Sequence, residues 1–171
     1  MAKAIAIVAA FLYCTWAGFA SAARLKKRAA LLHAIAVAVQ KLLISMEYAK
    51  LPLSELLRRK LYGDAQILFD CFASYLDGGA DAYAAWRGAK RELPEIDEAF
   101  ASLTDADWAM LGAFMQELGT TDKTAQRESG LLLKSGIAEA IAEADDLYSK
   151  RGRLYRTMGL LCGAAISILL L

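Results

Sequence analysis

Ala4 to Ala23 reads AIAIVAAFLYCTWAGFASAA, and the next five residues, Arg24-Leu25-Lys26-Lys27-Arg28, carry four positive charges. The apolar stretch has 20 uncharged residues; at about 1.5 Å of rise each, a helix of that length crosses a hydrocarbon core of about 30 Å. The reading is a membrane span, residues 1–23, halted by a basic cluster. A cleaved export signal would share the apolar run and the small triplet Ala20-Ser21-Ala22. Four cations directly behind such a run oppose export, however, and the helical periodicity passes through them without a turn signal. Cys14 follows the bulky Tyr13, a poor setting for a lipidated cysteine.

The opposite end has the same design in reverse. Lys150, Arg151, Arg153 and Arg156 precede an uncharged run from Thr157 to Leu171. Counted from Leu154, with Arg156 snorkelling, that run reaches about 27 Å and predicts a second span, residues 154–171. Both basic clusters border one central segment, residues 24–153, and only Lys3 lies on the other side of the first span. The charge bias therefore predicts a cytoplasmic central domain in a protein of the cell membrane, with both termini across the bilayer. Small residues recur at four-residue spacing: Ala10, Cys14, Gly18 and Ala22 in the first span, Gly159, Gly163 and Ser167 in the second. Such stripes let helix backbones approach closely in lipid, so Gly18, Gly159, Gly163 and Ser167 are the expected packing positions.

Between the spans the periodicity is helical throughout. Leu25, Leu32, Ile35, Val39, Leu42 and Met46 continue the first span as one rod ending at about residues 49–51, because Pro52 disfavours a helical residue before it. Pro52 suits the first turn of a second helix, expected through Leu61. A third is expected over residues 65–76, stopped by Gly78-Gly79. A fourth opens near Asp81, uses Tyr83 and Trp86 as core anchors and is expected to end by Leu93, ahead of Pro94. Thr104, with Asp107 three residues on, reads as the N-cap of a fifth helix over residues 105–118, closed by Gly119. Thr121 or Asp122 would cap the last helix, whose Leu133, Ile137, Ile141, Ala144 and Tyr148 keep the period into the second span. The fold class is all-α: a cytoplasmic bundle whose long antiparallel first and last helices continue into two transmembrane helices. No alternating stretch argues for a sheet.

Composition agrees with a chain that faces lipid in part. Hydrophobic residues make up 57% and mean hydropathy is +0.33, more than a single soluble domain of 171 residues needs. A net charge of +1, with the cations bunched, supplies no nucleic-acid stripe. One histidine, His33, and three dispersed cysteines, Cys14, Cys71 and Cys162, give metal sites, nucleophile triads and disulfide frameworks almost nothing to build on. Phosphate-cradling and dinucleotide motifs are missing from the sequence, so the expectation is a protein that is not an enzyme and takes no cofactor or small-molecule substrate. What stands out is an acidic run, Glu92, Glu95, Asp97, Glu98, Asp105 and Asp107, in a segment without Lys or Arg. It is the candidate surface for steering a basic partner.

A set of spaced residues extends this reading. Tyr48-x-x-x-Pro52-Leu53-x-Glu55, then Leu68-Phe69-x-x-Phe72, then Trp86, then Leu118-Gly119-x-x-Asp122-x-x-x-Gln126, then Tyr155-x-x-x-Gly159-x-x-x-Gly163 ahead of a leucine-rich end, together resemble the stage III sporulation protein AB family. The likeness covers essentially the whole chain. Ala49 and Leu51 stand where that family often has glycine and a small polar residue, a departure confined to one turn. The resemblance implies a role in endospore formation, within the multiprotein channel complex between mother cell and forespore. That family is in turn similar to the inner-membrane platform protein of type II secretion systems. By this analogy the protein would be a platform or adaptor on the mother-cell side, with the ATPase-like stage III sporulation protein AA and other proteins of the complex as partners. A membrane pore or transport subunit, its spans lining a path, is the alternative; such a path usually carries intramembrane ionisable residues, and neither apolar run contains one.

Overall fold

The computed structural model describes residues 2–48, 52–118 and 123–169; in these segments the side chains of residues 2–7, 10, 47, 48, 123–127, 156, 160, 163, 167 and 169 lie outside the description. Among the described residues six α-helices follow in order: α1 (Ala2–Tyr48), α2 (Leu53–Leu57), α3 (Gln66–Asp77), α4 (Ala82–Ile96), α5 (Asp105–Glu117) and α6 (Lys123–Leu169). Among the described residues there is no strand, and the protein is all-α. The expected end of α1 at residues 49–51, the Gly119 stop and the Thr121 or Asp122 cap fall outside the described residues. The chain divides into two compact units: residues 1–29 with 143–171, and residues 30–142.

The second unit is a packed helical domain. Along α1 the side chains of Leu31, Leu32, Ile35, Ala38, Val39 and Leu42 are buried. Their three-four spacing lines one face of a helix. Phe69 and Phe72 of α3, Leu93 of α4, Phe100, and Leu111, Phe114 and Met115 of α5 complete the core, and Leu133 and Ile137 bring α6 to it. Each large apolar side chain moved out of water contributes about 1.5–3 kcal/mol before chain entropy is counted.

Local chemistry explains where the short helices stop. The second helix ends at Leu57, a turn earlier than the expected Leu61, because downstream side chains take its last carbonyls. Tyr62 Oη donates to Leu56 O at 3.0 Å, and Gln66 Nε2 donates to Leu57 O at 3.0 Å. Gly63 then turns the chain at φ +55°, a conformation open to glycine at little steric cost. The fourth helix runs through Pro94 to Ile96 rather than ending at Leu93. Proline withholds only one N–H there, one turn from the end, while Asp97 N–H still bonds Leu93 O at 2.9 Å. Of the two expected anchors, Trp86 is buried and Tyr83 is exposed at 56%; at i and i+3 they straddle the edge of the buried stripe, and only Trp86 falls inside it.

The fifth helix opens on a reciprocal capping box. Thr104 Oγ1 accepts from Asp107 N–H at 3.2 Å, and Asp107 Oδ2 accepts from Thr104 N–H at 2.8 Å. Such a pair is worth about 1 kcal/mol.

The first unit is a pair of antiparallel helix segments. Gly18 of α1 and Gly159 of α6 meet so closely that a Cβ added at Gly18 would lie 2.6 Å from Tyr155 O and 3.1 Å from Gly159 Cα. Further along, the buried guanidinium of Arg28 reaches Glu143 at 3.2 Å. Away from the seam, Val8, Leu12, Tyr13, Trp16 and Phe19 on α1 are exposed, as are Leu154, Met158, Leu161 and Ile168 on α6. Among the described residues one stretch, Phe11–Met46, is long and apolar enough to cross a membrane. Its two parts differ in what they touch. After residue 30 one face, Leu31, Leu32, Ile35, Ala38, Val39 and Leu42, packs into the helical domain while Val37 and Ile44 stay exposed, whereas most of the large apolar side chains before the basic cluster are exposed.

Candidate functional site

The acidic residues singled out by sequence fall on two helices and the loop between them. Glu92 and Glu95 are on the exposed side of α4, Glu98 is exposed in the following turn, and Asp105 is exposed at the start of α5. Asp97 is half-buried and its Oδ1 accepts from Ala99 N–H at 2.8 Å, so one of its oxygens shapes the turn. Asp107 leaves the set altogether: it is 2% exposed, and its carboxylate is committed to the capping box. The run is uniformly negative along the sequence because residues 92–107 contain no Lys or Arg, but cations just before it come near in space. With α4 continuing to Ile96, Glu95 stands one turn after Arg91, and opposite charges at i and i+4 on a helix are neighbours. Arg87 and Lys90 share the helix, and Lys90 Nζ lies 5.8 Å from the centre of the Trp108 ring. The exposed negative surface is therefore concentrated in Glu95, Glu98 and Asp105.

Glu92 has a second task. Its Oε2 accepts from Tyr75 Oη at 2.9 Å and lies 3.8 Å from Cys71 Sγ, tying α3 to α4. Burial, reinforced by the adjacent carboxylate, pushes the Cys71 thiol up to about 11. Tyr75 is raised as well, chiefly because its hydroxyl donates to Glu92. A shift from 9.0 to about 11 removes about 99% of the thiolate near neutral pH, and the thiolate is the reactive form. Iodoacetamide at pH 8 is therefore expected to alkylate Cys71 about a hundredfold more slowly in the folded protein than in urea, read by mass spectrometry of the peptide. Equal rates would contradict the assignment. Since the folded state holds this proton more tightly, the associated stability is intact below pH 9 and is lost as pH rises toward 11.

The sequence-motif residues take structural places. Pro52 is the N-cap of α2, Leu53 opens it and Glu55 lies in its first turn. Trp86 packs against Trp108, ring centres 5.8 Å apart, over the face of Gly112. Leu68, Phe69 and Phe72 are core, and Leu118 is buried at the C-cap of α5. Tyr48 is the last described residue of α1 and Gln126 belongs to the first turns of α6, their side chains outside the description, as are the surroundings of Gly163 and the side chain of Ser167; Gly119 and Asp122 lie outside the described residues. Among the described residues no group of three or more His, Cys, Asp or Glu is placed to hold a metal ion. What the sequence did not single out is Gly112, whose missing side chain admits the Trp86 indole. Its position on the buried face of a helix was the available signal.

The sequence profile of stage III sporulation protein AB matches residues 3–171. The chain belongs to the stage III sporulation protein AB family. Stage III sporulation protein AB of Bacillus subtilis (strain 168) is 25% identical to it over 175 residues, covering 100% of both chains. A solved structure of a stage III sporulation protein AB superposes with a TM-score of 0.56 at 21% identity, covering 71% of this chain and 96% of that one. That likeness speaks to the fold. The family assignment carries the biological setting, sporulation.

Proposed function

We propose that this member of the stage III sporulation protein AB family is a two-span membrane adaptor, a structural rather than catalytic component of a secretion-like complex between mother cell and forespore. The observation that carries the reading is the first unit. Two helices bound through glycines leave Leu12, Trp16 and Phe19 on one and Met158, Leu161 and Ile168 on the other exposed. That much apolar surface on a helix pair is costly in water and favoured in lipid. The cation clusters at the inner ends of both apolar segments favour a cytoplasmic helical domain on the mother-cell side. Packed aromatics, a capping box and an exposed acidic edge suit that domain to docking.

Its partner in this reading is the ATPase-like stage III sporulation protein AA, met by Glu95, Asp97, Glu98 and Asp105. Charges of this kind at the rim of an interface act mainly on the rate of association. Reversing Glu95 and Glu98 to lysine in the full-length protein, with Asp97 and its turn left intact, is expected to reduce co-purification with the ATPase and to slow association by about tenfold at low salt. Unchanged association would remove the acidic edge from the contact. Normal development past engulfment in a deletion strain would remove the adaptor role.

A further inference from the structure

Two basic clusters far apart in sequence come to one level in the first unit. Gly18 and Gly159 mark the closest approach of the antiparallel pair. Counting away from that point at 1.5 Å per residue, Arg24 and Arg153 are each about 9 Å along, Lys26 and Arg151 about 12 Å, and Lys27 and Lys150 about 13.5 Å. All six side chains are exposed. No carboxylate lies between residues 17 and 27 or between 147 and 155. The nearest acids are farther along: Glu143 pairs with Arg28, Asp146 pairs with Lys150 at 2.7 Å, and Asp145 is beside them. On the other side of the six, within one or two turns, the surface becomes apolar at Phe19, Leu154, Tyr155 and Met158.

We propose that Arg24, Lys26, Lys27, Lys150, Arg151 and Arg153 form a single band that seats anionic phospholipid headgroups, giving the protein a preference for acidic membrane. The inference rests on the membrane-anchored reading above and adds the lipid class. A helix pair with its apolar surface in the acyl chains holds this band at headgroup depth, where each basic side chain gains about fivefold in affinity for an anionic surface. Guanidinium and ammonium groups donate to phosphate oxygens, and the adjoining Tyr155 has the amphipathic ring favoured at that depth. A nucleic-acid backbone offers the same phosphate chemistry but would leave the apolar Leu12, Trp16 and Met158 beyond the band in water. The charge and the apolar surface are satisfied together only by lipid.

Trp16 lies eight residues before Arg24, about 12 Å toward the acyl chains, and serves as the reporter. The full-length protein is reconstituted into phosphatidylcholine vesicles in which an equal mole fraction of either phosphatidylglycerol or phosphatidylcholine carries brominated chains. Subtracting the Trp16→Phe protein removes the emission of Trp86 and Trp108. The expected result is stronger quenching by the brominated phosphatidylglycerol, equivalent to about fivefold local enrichment and falling at high salt. Replacing all six residues with glutamine equalises the two lipids, and replacing only the three on one helix leaves an intermediate enrichment. Equal quenching in the unaltered protein, or enrichment that survives all six substitutions, overturns the proposal. Equal quenching together with capture of a labelled single-stranded RNA assigns the band to nucleic acid instead. No quenching by either lipid overturns the membrane anchoring itself, and the band's assignment with it.

Discussion

Trp86→Ala is expected to destabilise the helical domain by about 3–5 kcal/mol, the usual cost of removing a buried indole. The residue is 4% exposed, and it joins α4 to α5 by facing Trp108 and lying over Gly112. The reciprocal change makes the argument specific. A Cβ at Gly112 would lie 2.5 Å from Trp86 Nε1, so Gly112→Ala has to displace the indole and should cost about 1–3 kcal/mol. In a Trp86→Ala background the same substitution enters the vacated space, and its penalty should disappear. The four proteins form a double-mutant cycle, measured by urea unfolding in detergent with helical circular dichroism as the signal. Additive penalties would mean that the two residues do not meet.

A second large effect is expected at the glycine seam. Gly18→Val and Gly159→Val each place a branched side chain against backbone, not against a side chain that could rotate away. A Cβ at Gly18 meets Tyr155 O and Gly159 Cα, and one at Gly159 meets Cys14 O at 3.0 Å and Gly18 Cα at 3.2 Å. The helices must separate toward the more usual interaxial distance of about 8–10 Å, and the dispersion contacts that hold a pair together in lipid fall off steeply with that distance. Nitroxides on the exposed positions Ala23 and Arg153, in a protein whose three cysteines are replaced by alanine, should report a longer and broader distance by pulsed electron resonance. A distribution unchanged by either valine would show that the glycines are not the seam. Complementation of sporulation should fall in parallel, while the Trp86 domain stays folded.

The start of the fifth helix and the buried face of the first were legible because they are local. Thr104 and Asp107 are three residues apart, and a capping box needs nothing beyond that spacing. Leu32, Ile35, Val39 and Leu42 reveal a buried face by period alone. The end of α2 was not legible, because it depends on Tyr62 and Gln66 folding back onto Leu56 and Leu57 from beyond the helix. The extent of α4 was misjudged for a related reason. Proline one turn from a helix end loses a single hydrogen bond, and the burial of Leu93 with the Asp97 bond to its carbonyl keeps that turn in place.

The acidic surface shows the difference at the level of a site. Six carboxylates in a row of sequence look alike, but a carboxylate's role is set by what its oxygens meet in space. Asp107 meets a helix N-terminus and Glu92 meets a tyrosine and a cysteine, whereas Glu95 and Asp105 have exposed side chains.

Sequence by itself determined the helical class, the apolar ends bordered by cations and the family, since each depends on residue type at short spacing or on order along the chain. Tertiary structure alone decided which glycines meet, which tryptophan side faces Gly112 and that two basic clusters more than a hundred residues apart form one band. Those facts arise when segments distant along the chain become neighbours, and pair distances across a helix seam are not encoded in the local period of either helix.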